Sequence, residues 1–229
     1  MMQMTKVEEA LARAILSSNS EGTDAAKEIL KSGISPKLRL GGVPMVTLAA
    51  HVGSINALVL LSDYGADLNA RPDPNSEFFL HYEGMLDPLK FAFEEDETVI
   101  GLCALNGMSC EELTLLLGRG INPNILSNDG VPPIYWPMAY GSEESLKAFC
   151  RYNADINMRD NEGLTSVLLL VENGLWMPYG FRRHNFDYLN HLRTFGADLT
   201  LTDNLGRNIY EIATPYPDLA EWILAHTEE

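Results

Sequence analysis

Four five-residue segments of this chain are near copies of one another: Gly65-Ala66-Asp67-Leu68-Asn69, Gly120-Ile121-Asn122-Pro123-Asn124, Asn153-Ala154-Asp155-Ile156-Asn157 and Gly196-Ala197-Asp198-Leu199-Thr200. A fainter fifth is Gly33-Ile34-Ser35-Pro36. The segments start at 33, 65, 120, 153 and 196, so the gaps are 32, 55, 33 and 43 residues. A period in this range marks a repeat array, whose units bury their apolar faces by stacking on one another. Two gaps give the unit length, and the other two are that unit with about 22 and about 10 residues inserted.

Each segment closes an apolar run with helical spacing, such as Ile55, Leu58, Val59, Leu60 and Leu61 before Gly65. A Gly or Asn at that point suits the left-handed backbone that ends a helix, so Asn153 serves in place of Gly. Glu111 and Glu112, and again Glu143 and Glu144, open helices where carboxylates favour the positive end of the dipole. Upstream of these runs lies a second shared pattern. Gly42-Val43-Pro44-Met45-Val46-Thr47-Leu48-Ala49-Ala50-His51-Val52-Gly53 is its clearest copy, followed by Asp129 through Gly141, Gly163 through Gly174 and, more loosely, Gly206 through Ala213. A turn residue with Thr or Pro opens a short helix, small residues let it pack closely, and a Gly reverses the chain into the next helix.

This pattern resembles the ankyrin signature GxTPLHLAAxxG, and the resemblance covers nearly the whole chain. It implies an all-α ankyrin-repeat solenoid of about six helix-turn-helix units in a single domain, 1–229, at roughly 5–38, 39–71, 85–126, 128–160, 161–202 and 203–229. The first and last are degenerate, as terminal caps with one solvated face should be. Unit three has two candidates for its first helix: Pro88-Leu89-Lys90-Phe91-Ala92-Phe93 looks like PLHLAA, and Val99 through Gly107 fits the same role. An enlarged unit starting near Asp87 is the expectation. Trp136 falls at a core position and is expected to be buried, and Pro137 to kink the helix or delay its start. His51 takes a variable position and is expected to be exposed.

Two insertions, approximately 72–86 and 174–185, interrupt the array. The first begins Arg71-Pro72-Asp73-Pro74, an irregular loop, and carries Phe78, Phe79 and Tyr82. It leaves the chain where the hairpin fingers of ankyrin proteins project, a region that in the family contributes to partner binding. The second holds Trp176, Tyr179, Phe181, Arg182 and Arg183, residue types enriched at binding hot spots. In unit four Tyr140 is expected toward the concave surface. These aromatics either present a partner-binding surface or pack onto the solenoid, and the Arg pair either contacts a partner or neutralises acidic neighbours.

The chain carries 32 acidic against 16 basic residues, a formal net charge of −16. Such a field repels phosphate backbones and anionic bilayers, so neither nucleic acid nor membrane is an expected partner. It either complements a basic protein or serves solubility. Three cysteines without a CxxC pair argue against a disulfide framework and a zinc site, and Cys103 reads as a small buried hydrophobe. The first residues read as an amphipathic helix rather than a signal peptide, and no apolar run approaches the about 18 residues of a membrane span, so cytoplasmic residence is expected. No P-loop, GxGxxG, HExxH, GxSxG or kinase motif set is present, and the five histidines lack ligand spacing. The expectation is a non-catalytic protein-binding module without cofactor or metal, monomeric, that blocks or sequesters a protein partner. A basic partner would make it resemble an immunity protein. An effector recruiting host proteins and a regulatory subunit of a larger assembly are the alternatives.

Overall fold

Short apolar runs become short helices in this chain, several of them started by a capping side chain and stopped by a left-handed turn. A computed structural model describes residues 6–73, 79–80, 89–90, 98–139, 142–174, 189 and 192–227, the side chains of 79–80, 89–90, 173–174, 222 and 226–227 excepted. The polypeptide divides into two units, Met1–Asn122 and Pro123–Glu229.

The first unit pairs α1 (Lys6–Leu16) with α2 (Ser20–Lys31), α3 (Met45–His51) with α4 (Ile55–Asp63), and α5 (Val99–Leu105) with α6 (Cys110–Leu117). Between them run β1 (Arg39–Leu40) with β2 (Val43–Pro44), antiparallel, and β3 (Phe79–Leu80) with β4 (Leu89–Lys90), also antiparallel. Alternate helices stack: α1 on α3, and α3 on α5. Helix α3 is buried at every position from Met45 to Ala50, and α5 from Val99 to Ala104. A helix apolar all round must be covered all round, which stacking between two neighbours achieves. Cys103, on α5, is fully buried as expected.

Caps set the boundaries. Thr98 opens α5 by accepting from the Gly101 amide at 3.1 Å, and Ser54 opens α4 by accepting from Ala57 at 3.4 Å. Ser109 and Glu112 form a full capping box on α6. At the other end the backbone turns left-handed at Gly33, Gly65, Gly120 and Gly196, with φ between +87° and +92°, and at Asn153 with φ +63°. These five positions are the segment starts read from the sequence, and the substitution by Asn is accommodated as the residue's preferences allow.

The second unit contains α7 (Tyr135–Ala139), α8 (Glu143–Arg151), α9 (Ser166–Gly174), α10 (Ile209–Ala213) and α11 (Pro217–Thr227), with helical backbone also at 192–194. Helix α9 packs between α7 and α10, repeating the alternate stacking of the first unit. Phe149 on α8 is fully buried and anchors the pair. Among the described residues no helix is long and apolar enough to cross a membrane.

Three expectations need correction. Leu89–Lys90 lies in a strand rather than a helix, so the PLHLAA-like stretch is not helical at these two positions, the rest of 88–93 lying outside the described residues. Val99–Leu105 is helical, because Thr98 caps it and Asn106-Gly107 reverses it. Trp136 is half-buried, not buried, with its ring edge-on to Tyr135 at 5.3 Å and 69°. Pro137 occupies the third position of α7, where a missing amide costs nothing, and the helix stays five residues long. His51 is also half-buried, because Asn106 from the next turn donates to the Ala50 and His51 carbonyls at 3.0 and 3.1 Å. Burial holds its imidazole below the ordinary histidine range.

Candidate functional site

The turns that precede the first helix of each pair in the second unit are held by both backbone and side-chain hydrogen bonds. Ser127–Val131, Asp160–Leu164 and Asp203–Arg207 each close with an amide-to-carbonyl bond of 2.9–3.1 Å between their ends. The leading side chain of each turn accepts from the amide four residues on: Ser127 Oγ from Val131 at 2.9 Å, Asp160 Oδ1 from Leu164 at 2.8 Å and Asp203 Oδ1 from Arg207 at 2.8 Å. Asp160 and Asp203 also accept from Glu162 and Leu205, two residues on, as Asx turns do.

Neighbouring turns interlock. The Asn204 amide donates to the Glu162 carbonyl at 3.0 Å, and Asn204 Nδ2 to the Asn161 carbonyl at 3.2 Å. A Cβ on Gly130 would meet the Asn161 amide nitrogen at 2.7 Å, and one on Gly163 the Asn204 amide nitrogen at 2.8 Å. The three tips therefore form a continuous ridge. What it offers outward is carried by exposed Asp129, Glu162 and Leu205, the last at 81% exposure.

Within each unit, two sets of side chains fix the spacing of successive turns, and neither was read from the sequence. Asn69 donates to the Gly120 carbonyl (3.2 Å) and accepts from the Asn122 amide (2.7 Å). Asn124 makes the same pair with Asn153 and Asp155, at 2.9 and 2.8 Å. Asn157 does so with Gly196 and Asp198, again at 2.9 and 2.8 Å. Each Asn is the fifth residue of its segment, and the recurrence of Asn at that position was the available signal. The seventh position supplies the second set. Arg39 Nη1 donates to the Gly42 carbonyl (3.0 Å), the Arg71 carbonyl (2.8 Å) and Asp73 (2.9 Å), and Arg159 Nη1 to the carbonyls of Gly163 (2.8 Å) and Thr202.

Asp203 is buried while its neighbours at the tip are exposed. Burial pushes its carboxyl up, but the Arg207 and Leu205 amides and the Arg207 guanidinium (Nε to Oδ2, 2.6 Å) outweigh it and leave the group below 3.8, the ordinary aspartate value. A depressed carboxylate contributes stability that is present above 3.8 and lost as pH falls through the lower folded value. Thermal melts should show Asp203→Asn with a lower midpoint at neutral pH and a smaller loss on acidification than wild type. Equal losses in the two proteins would remove Asp203 from this role.

Of the residues expected to contact a partner, Phe78, Tyr82, Tyr140, Trp176, Tyr179, Phe181, Arg182 and Arg183 lie outside the described residues. Phe79 is placed only by its backbone, opposite Lys90 in the β3–β4 ladder. Among the described residues, no group of three or more His, Cys, Asp and Glu side chains is placed to hold a metal ion.

The chain is similar to an ankyrin repeat-containing protein of Schizosaccharomyces pombe, with 30% identity over 115 residues, 49% of this chain and 50% of that protein. It is also similar to an ankyrin repeat protein of Fowlpox virus, with 43% identity over 58 residues, 23% of this chain and 17% of the viral protein. The matched stretch thus spans half the length of the yeast relative and less of the viral one. No protein-family model matches the chain.

Proposed function

We propose that this chain, which is similar to ankyrin-repeat proteins, is a non-catalytic module that binds a basic protein through the turn edge of its second unit and through its two insertions, blocking or sequestering that protein. The observation that carries this reading is the ridge of interlocked tips. Each of its turns is closed by backbone hydrogen bonds, so the exposed Asp129, Glu162 and Leu205 stand on a support that loses little freedom on binding. Two carboxylates beside an exposed leucine suit a partner surface with a cationic rim around an apolar spot. The net charge of −16 steers such a partner toward the chain from a distance.

Under this reading Trp176, Tyr179, Phe181, Arg182 and Arg183 on the second insertion anchor the partner, with Phe78, Phe79 and Tyr82 on the first and Tyr140 adding contact. Affinity capture from the source lysate should retain one basic protein on wild type and lose it on a Trp176→Ala/Tyr179→Ala/Arg182→Ala variant. Equal retention by the variant would exclude the second insertion from the interface.

A further inference from the structure

The second helices of the first unit present a different surface. In α8 of the second unit the solvent side is charged and self-neutralised: Lys147 lies 2.6 Å from Glu143 and 2.8 Å from Glu144. Helix α4, the second helix of its own pair, carries one charge, Asp63 at its last position. Its solvent side instead shows Ile55 and Val59, one turn apart and both half-buried, and Leu115 of α6 beside them is 42% exposed. These three apolar side chains floor an open groove of about 480 Å³ between α2, α4 and α6. Four carboxylates line it against one ammonium: Asp24, Asp63, Glu111 and Glu112 against Lys27. Arg119 lies 3.5 Å from Asp63, which leaves the groove predominantly acidic.

From this combination we infer that the groove between α2, α4 and α6 is a docking site for a basic amphipathic helix. The apolar floor calls for apolar side chains, and the acidic rim calls for cations flanking them. The occupant is a helix because of the backbone. The groove is walled by three helices and by no strand, so it has no sheet edge to pair with an extended peptide. A helix brings its backbone already satisfied and sets apolar residues at i, i+3, i+4 and i+7 along one face. This groove shares no residue with the turn edge.

The test uses the full chain and two synthetic peptides of about 18 residues, long enough to be helical. Both carry leucines at i, i+3, i+4 and i+7, one with lysines and the other with glutamates elsewhere. Fluorescence anisotropy is read for wild type, for Val59→Glu/Leu115→Glu and for Leu115→Ser, with circular dichroism checking the fold. The acidic floor variant is informative because it makes the chain more negative, so attraction by charge alone would hold or grow. The proposal expects wild type to bind the lysine peptide and the floor variant to lose at least about tenfold in affinity, near 1.4 kcal/mol. Leu115→Ser, at an exposed position that leaves the fold intact, should show a smaller loss. Asp129→Lys/Glu162→Lys, at the turn edge, should leave peptide affinity unchanged. Undiminished binding by both floor variants, equal binding of the glutamate peptide, or no binding by wild type would each overturn the proposal.

Discussion

Gly163→Ala should destabilise the protein by about 2–5 kcal/mol, and Gly206→Ala by about 1–2 kcal/mol, although the two glycines occupy the same position of the same turn. Their backbones match: φ is +81° and +80°, and each amide bonds to the aspartate carbonyl three residues back at 3.1 Å. A side chain in that left-handed conformation costs the same strain in both. The difference lies in what stands beyond them. A Cβ on Gly163 would sit 2.8 Å from the Asn204 backbone nitrogen, the atom that donates to the Glu162 carbonyl, whereas nothing lies within 4 Å of one on Gly206. The following turn must move in the first variant and need not in the second. Chemical denaturation of both variants measures the gap directly, and equal losses would mean that the turns do not interlock.

Asn157→Ala should cost about 1–3 kcal/mol, since it removes two hydrogen bonds at once and leaves the Gly196 carbonyl and Asp198 amide to find water. Asn157→Asp should not restore the loss. The carboxylate still accepts from Asp198 but can no longer donate, and it faces the Gly196 carbonyl with a like charge. Lys37 provides the control. It holds the same place in the faint first segment, and its backbone amide donates to Ser35 Oγ. Lys37→Ala should therefore stay within about 0.5 kcal/mol of wild type. Amide exchange gives a local readout: the Asp198 amide should exchange faster in Asn157→Ala, and unchanged exchange would contradict the ladder.

The array was legible in the sequence wherever a backbone requirement admits few residue types. Gly or Asn at five left-handed helix ends fixed the period, and the acidic pairs at 111–112 and 143–144 did mark helix starts. Composition alone failed where two stretches met the same pattern. Pro88 through Phe93 imitates the signature as well as Val99 through Leu105, and the Thr98 cap with its Asn106-Gly107 reversal decides between them. Trp136 and His51 were misjudged because exposure depends on neighbours: α7 is short, and Asn106 arrives from the next turn. The Asn ladder was visible as a recurring letter, yet its meaning requires knowing which carbonyl lies opposite. Asp129 was legible as the opening of a signature copy, whereas Glu162 had no signal beyond polarity. Their place on one ridge follows from stacking, which joins residues 33 and 43 positions apart.

Whether the turn edge holds a basic protein is tested most directly by reversing its charge. Wild type and Asp129→Lys/Glu162→Lys would be immobilised and used for quantitative capture from source lysate at low and moderate salt. The account predicts that wild type enriches one basic protein, that salt weakens the association, and that the reversed variant loses most of it. Capture of the same protein to the same extent by both forms, indifferent to salt, would contradict the account.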